Sequence, residues 1–123
     1  WLGGGMKRNK YSAVKTVVDG IKFASKKEAR RYGELKLLKS AGEISWLRLQ
    51  PKFRFRIDGR NVMIRSKGYP NGRQATYTAD FQYEQGGKIV VEDVKGGAAT
   101  DTEASRLRRA MVEAQYGVRV VLV

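Results

Sequence analysis

Residues 76–95 read TYTADFQYEQGGKIVVEDVK. Two runs of strand-forming residues flank Gly86-Gly87, a pair that favours a two-residue hairpin turn because both central positions take positive φ. Such a turn pairs Gln85 with Lys88. Counting back from it, Asp80 falls opposite Asp93 and Thr78 opposite Lys95. Opposed residues share a face, with Cβ atoms about 4.5–5.5 Å apart. Lys95 lies two residues past Asp93 and shares that face as well. One side of one hairpin is therefore expected to gather Asp80, Asp93 and Lys95. Glu92 points the other way and is expected to pair with an arginine of the helical layer. A one-residue bulge would exchange the roles of Glu92 and Asp93.

Two carboxylates that close repel each other unless a cation lies between them. A salt bridge from Lys95 to either aspartate needs no metal. A divalent ion uses the same residues more fully, because hard cations prefer oxygen ligands: Mg²⁺, with Mn²⁺ able to substitute, and the Val94 carbonyl as a further ligand. Water at such an ion is more acidic and a stronger nucleophile. Lys95 is then placed to orient or deprotonate that water, or to stabilise the transition state.

Composition narrows the chemistry. The 123 residues suit one domain. Lys and Arg number 25 against 12 acids, a net charge of +13, which favours a polyanionic partner, nucleic acid before an anionic membrane. Cysteine and histidine are both absent. That excludes disulfides, thiolate zinc sites, cysteine nucleophiles and any imidazole base. Carboxylates, lysine and metal remain. No apolar run approaches the ~18–20 residues of a membrane span and no signal-peptide pattern is present, so the cytoplasm is the expected compartment.

Outward from the hairpin, the N-terminal side begins with WLGGG, which reads as a tag remnant ahead of Met6, and a flexible basic arm, Lys7, Arg8 and Lys10; together these occupy residues 1–10. Residues 11–123 read as a single domain. Asp19-Gly20 predicts a small type I′ hairpin. Ser25 and Glu28 form a capping box that opens a helix ending at Gly42, with Ala29, Tyr32, Leu35, Leu37 and Leu38 apolar and Lys26, Lys27, Arg30 and Arg31 positive. Glu28 satisfies the cap, yet a helix start packed over the sheet can also present its carboxylate to a metal; spacing leaves both open. The run 52–57, KFRFRI, predicts a strand with Phe53, Phe55 and Ile57 facing in. Residues 66–74, SKGYPNGRQ, read as a mobile loop carrying Lys67 and Arg73.

On the C-terminal side, 100–103 (TDTE) predicts a second capping box and a helix to Tyr116. Its buried stripe is expected at Ala104, Leu107, Met111 and Ala114, with Arg106, Arg108 and Arg109 on polar faces. Val118–Val123 predicts a closing strand inside the sheet, parallel to a central strand after its helical crossover.

Asp80 followed by Asp93-Val94-Lys95 in consecutive antiparallel strands resembles the PD-(D/E)XK nuclease superfamily, with Ala79 where its signature proline often stands. The run YTADFQYEQGGKIVVEDVKG and the stretch around Gln50-Pro51 look like small phage and prophage proteins grouped as a domain of unknown function, akin to Holliday-junction resolvases. The resemblance covers about 10–123. It implies an α/β (α+β) fold with a restriction-endonuclease-like core: a central mixed β-sheet flanked by helices, in the order hairpin-α-β-β-β-α-β. It implies a Mg²⁺-dependent DNA endonuclease, a homodimer selective for branched DNA. Asp80, Asp93 and Glu28 would hold metal and Lys95 would serve catalysis. The basic arm, first helix, 66–74 and last helix would meet DNA. A catalytically inactive DNA-binding module with the same fold is the alternative.

Overall fold

The computed structural model describes residues 15–95 and 101–123. The basic arm at Lys7, Arg8 and Lys10, and the loop start at Gly96-Gly97 with Thr100, lie outside the described residues.

β1 (Thr16–Val18) and β2 (Ile21–Phe23) form the first hairpin. Asp19 and Gly20 both have positive φ, as a type I′ turn requires. Ser25 caps α1 (Lys26–Ser40), its hydroxyl accepting the Glu28 N–H at 3.1 Å. The helix ends in a Schellman motif. Glu43 N–H donates to the Leu38 carbonyl and Gly42 N–H to that of Lys39, with Gly42 left-handed.

Next come β3 (Ser45–Leu49), β4 (Lys52–Arg54), β5 (Arg56–Ile57), β6 (Arg60–Asn61), β7 (Met63–Ser66), β8 (Tyr69–Gln74) and β9 (Thr76–Thr78). β10 (Phe81–Gln85) and β11 (Lys88–Asp93) follow, then α2 (Glu103–Tyr116) and β12 (Arg119–Leu122). The fold is mixed α+β. Among the described residues its main sheet has four strands in the order β12-β11-β10-β3, with β12 parallel to β11 and the other pairs antiparallel. Gln85 pairs with Lys88 and Phe81 with Glu92 without a bulge, as the Gly86-Gly87 turn dictates.

Apolar residues divide into two clusters. Phe23, Ala29, Tyr32, Leu35, Ile44, Phe81 and Tyr83 lie under α1. Phe53, Phe55, Ala75, Tyr77, Ala79, Val91 and Val112 form the second, with α2. Phe81 opposes Glu92, next to Val91, so the clusters occupy opposite faces of the sheet.

Several expectations need correction. Residues 69–74 are not a loop. β8 pairs with β7 across a tight turn, and its Pro70 is tolerated because the ladder has only two strands. Ile57 and Leu37 are exposed rather than facing in. Residues 76–85 are not one strand: β9 leaves to pair with β4, so Thr78 opposes Lys52 and not Lys95. The α2 cap is Thr102, accepting from Ser105 N–H, two residues later than the capping box placed it. Its buried positions are Arg109 and Val112, while Leu107 is exposed, so the buried face is turned by about one residue. β12 is parallel to β11 as expected, but it is an edge strand.

Candidate active site

The break between β9 and β10 builds the site. Asp80 sits at the break, its backbone fastened on both sides. Its N–H donates to the Glu92 carbonyl at 3.0 Å, and its carbonyl accepts from Gln50 N–H at 2.9 Å. Just before it, Ala79 N–H reaches the Pro51 carbonyl. Asp93 ends β11, one position beyond Glu92, and so faces Asp80. The Asp80 carboxylate accepts the Val94 N–H at 2.7 Å. Asp93 Oδ2 accepts the Tyr77 hydroxyl at 2.5 Å and lies 3.2 Å from Lys95 Nζ. Lys95 is tied through its N–H to the Val123 carbonyl and through its carbonyl to Lys27 Nζ at 2.6 Å.

Glu28 reaches this cluster from the first turn of α1. Its backbone N–H serves the Ser25 cap while its side chain is buried, 6 % exposed. The cap thus uses only the Glu28 backbone N–H, and the carboxylate turns toward Asp80 and Asp93. Burial, followed by the Asp93 charge, raises the Glu28 carboxyl, against a hydrogen bond with Asp80 that lowers it. Burial pushes the Asp80 carboxyl up to about 7, with the Glu28 and Asp93 charges adding to it and the Val94 N–H opposing. Burial raises the Tyr77 hydroxyl, and its bond to Asp93 adds to that, so Tyr77 stays a donor. Among the described residues, no set of three acids stands ready-made as an ion cage. The acids lean instead on one another, Tyr77, Lys95 and the Val94 amide.

On the opposite face, Glu92 is 1 % exposed and meets Arg31 in two bonds, 2.8 and 2.6 Å, plus the Tyr83 hydroxyl. This is the arginine partner expected for Glu92. The bond to Glu92 raises Arg31 above the usual arginine range, and burial pushes the Tyr83 hydroxyl up to about 12.

A family profile for DUF1064, described as a protein of unknown function, matches residues 8–121. The chain belongs to the DUF1064 family. No curated protein and no solved structure matches it. Among the described residues of this DUF1064 chain, no helix is long and apolar enough to cross a membrane.

The basic residues picked for DNA contact separate into two groups. Lys26, Lys27, Arg30, Lys67, Arg73, Arg106 and Arg108 are exposed. Lys67 and Arg73 stand on the β7–β8 hairpin, with Arg73 over the Tyr69 ring. Arg31 and Arg109 are not surface contacts. Arg31 is committed to Glu92 and Glu34. Arg109 is 9 % exposed, binds Asp101 at 2.5 Å, and its buried Nη1 has no hydrogen-bond partner among the described residues. Tyr77 went unread in the sequence. In an unbroken strand, period two sets residues 77 and 80 on opposite faces, and only the break brings both to Asp93.

Proposed function

We propose that the chain is a metal-dependent phosphodiesterase acting on DNA. The observation that carries this reading is the convergence of Glu28, Asp80 and Asp93 from three elements, with Lys95 3.2 Å from Asp93. The donor type, carboxylate oxygen throughout, is the one hard divalent cations prefer, and buried acids raise one another's affinity for positive charge. Glu28, Asp80 and Asp93 would hold Mg²⁺ or Mn²⁺, with the Val94 peptide alongside. Bound there, the ion supplies Lewis acidity toward a phosphoryl oxygen and activates water. The chain's own residues do the rest. Tyr77 orients Asp93. Lys95, held between Val123 and Lys27 through its backbone, presents an ammonium that orients the attacking water or neutralises charge building on the phosphate.

This is also the site the PD-(D/E)XK resemblance implies, and membership of that superfamily is part of the proposal. So are a cytoplasmic, phage-encoded setting, preference for junctions or branches, and a homodimer supplying two sites for paired cuts. The net charge of +13 supports a DNA substrate.

One observation favours a second reading, a DNA-binding module without turnover. The acids are satisfied by protein donors rather than set around an ion. Labelled four-way junction, flap, duplex and single-stranded DNA, incubated with Mg²⁺ or EDTA, separate the two. Cleavage that needs Mg²⁺ and disappears in Asp80→Ala and Lys95→Ala is expected. Cleavage indifferent to EDTA and both substitutions overturns the mechanism, and binding with no cleavage of any substrate selects the second reading.

A further inference from the structure

Trp46 is 75 % exposed on β3, the edge strand of the main sheet. Its backbone is left-handed, φ 58. For a bulky residue that conformation is strained, and Asn or Gly takes it more easily. The β3–β10 register shifts at the same place, between Gln82 and Glu84. Strain of this kind points from an observed outlier toward a function. The indole borders a cleft of about 450 Å³ lined by Trp46, Leu47, Arg48, Gln82 and Ile89. Arg48 pairs with Gln82, and Gln82 with Val91, two residues before Asp93 on the same strand, so the cleft opens on the sheet face that Asp93 shares.

We propose that Trp46 is a stacking platform for an unpaired nucleobase, with Arg48 serving the adjoining phosphate. An exposed indole offers a π-face to any base, and a guanidinium beside it supplies charge and cation–π attraction. Glu84, held by the Ser45 hydroxyl at 3.1 Å, makes the neighbouring rim unsuited to phosphate and suited to a base edge. The ligand class is a single-stranded nucleic acid, or a duplex end or branch with unpaired bases. A second copy of the chain fits this edge less well. The register shift interrupts strand addition, and pairing two such edges crowds their Arg48 side chains together. The proposal concerns binding and stands whether or not the carboxylate site cleaves.

The test is tryptophan fluorescence in a Trp1→Phe background, where Trp46 is the sole tryptophan, titrated in EDTA. Oligo(dT), oligo(U), an abasic oligomer of equal length and a blunt duplex are the probes. Quenching by both single strands, with the abasic oligomer and duplex far weaker, is expected, and a difference between the two single strands identifies the sugar preferred. Trp46→Asn relieves the backbone strain, so it should melt a few degrees higher while binding oligo(dT) about 5- to 100-fold more weakly by anisotropy. Absence of quenching by every probe overturns the proposal, as does equal binding by the Trp46→Asn protein. A dimer that becomes monomeric in Trp46→Asn, with oligo(dT) affinity unchanged, assigns the edge to self-association instead.

Discussion

Tyr77 donates its hydroxyl to Asp93 Oδ2 at 2.5 Å, from a strand that belongs to a different sheet. The second acid of the candidate site is thus aimed by β9, which pairs with β4 among the described residues, as well as by Lys95 of its own hairpin. Tyr77→Phe removes one bond to a charged acceptor and leaves the ring in the core. Such a bond contributes about 1.5–3 kcal/mol. Urea unfolding at constant m-value should show a loss in that range, and cleavage in Mg²⁺ should fall with it. An unchanged midpoint would mean that Asp93 is held from elsewhere.

Glu28 combines a cap and an acid, and two substitutions separate them. Ser25→Ala removes the cap and should cost about 1 kcal/mol, with Mg²⁺ dependence unaltered. Glu28→Gln keeps the backbone N–H on Ser25 and removes one of the mutually repelling charges. It should raise the metal-free melting temperature and weaken Mn²⁺ binding followed by electron paramagnetic resonance. Equal Mn²⁺ affinity in wild type and Glu28→Gln would leave Glu28 with its capping role alone.

The Arg31–Glu92–Tyr83 network should respond asymmetrically. Arg31→Ala leaves a carboxylate that is 1 % exposed without its cation, with the Tyr83 hydroxyl still bonded to it, and breaking a buried pair from one side costs about 3–5 kcal/mol. Glu92→Gln leaves a guanidinium whose side chain is 26 % exposed and can turn to water, so its cost should be smaller. Chemical denaturation of both variants checks the order, and the reverse order would contradict the burial described.

Acid should expose the Asp101–Arg109 pair. The bond from Arg109 lowers the Asp101 carboxyl below its usual range. A depressed folded value means the contribution is complete above about pH 4, where the unfolded carboxyl ionises, and is lost as pH falls through the folded value. Asp101→Asn should therefore narrow the stability difference between pH 5 and pH 3 relative to wild type. Two proteins with parallel pH profiles would show that the pair contributes nothing.

Local rules were enough for the hairpin. Two left-handed glycines set the register, the register set Asp80 against Asp93, and period two sent Glu92 to Arg31. Where contacts are non-local, the same rules failed. The 76–85 run parts from β11 at Asp80, whose N–H donates to the Glu92 carbonyl, and its β9 half pairs with β4, a partner no local pattern announces; Tyr77 arrives at Asp93 by that break. The buried face of α2 is not legible from apolar spacing because an arginine signals surface, whereas Asp101 makes the burial of Arg109 tolerable. Gly, Pro and Asn in 66–74 imitate a loop, yet a two-stranded ribbon asks little of its side chains.

That ribbon is closed at its base by a ring of backbone bonds. Phe55 N–H donates to Ala75, Ala75 N–H to Val62, and Val62 N–H to Phe55. Phe55 and Ala75 are buried beneath it, while most of residues 63–74 are exposed. The clasp fixes the base of the ribbon, where Ile64 still packs against the second cluster and Gln74 bonds back to Phe55 and Asn61. Only the exposed tip, residues 65–71 with Lys67, stands clear of that packing, and it is expected to behave as an exchangeable cartridge, open to changes of length and charge that leave the acids at the strand break in place.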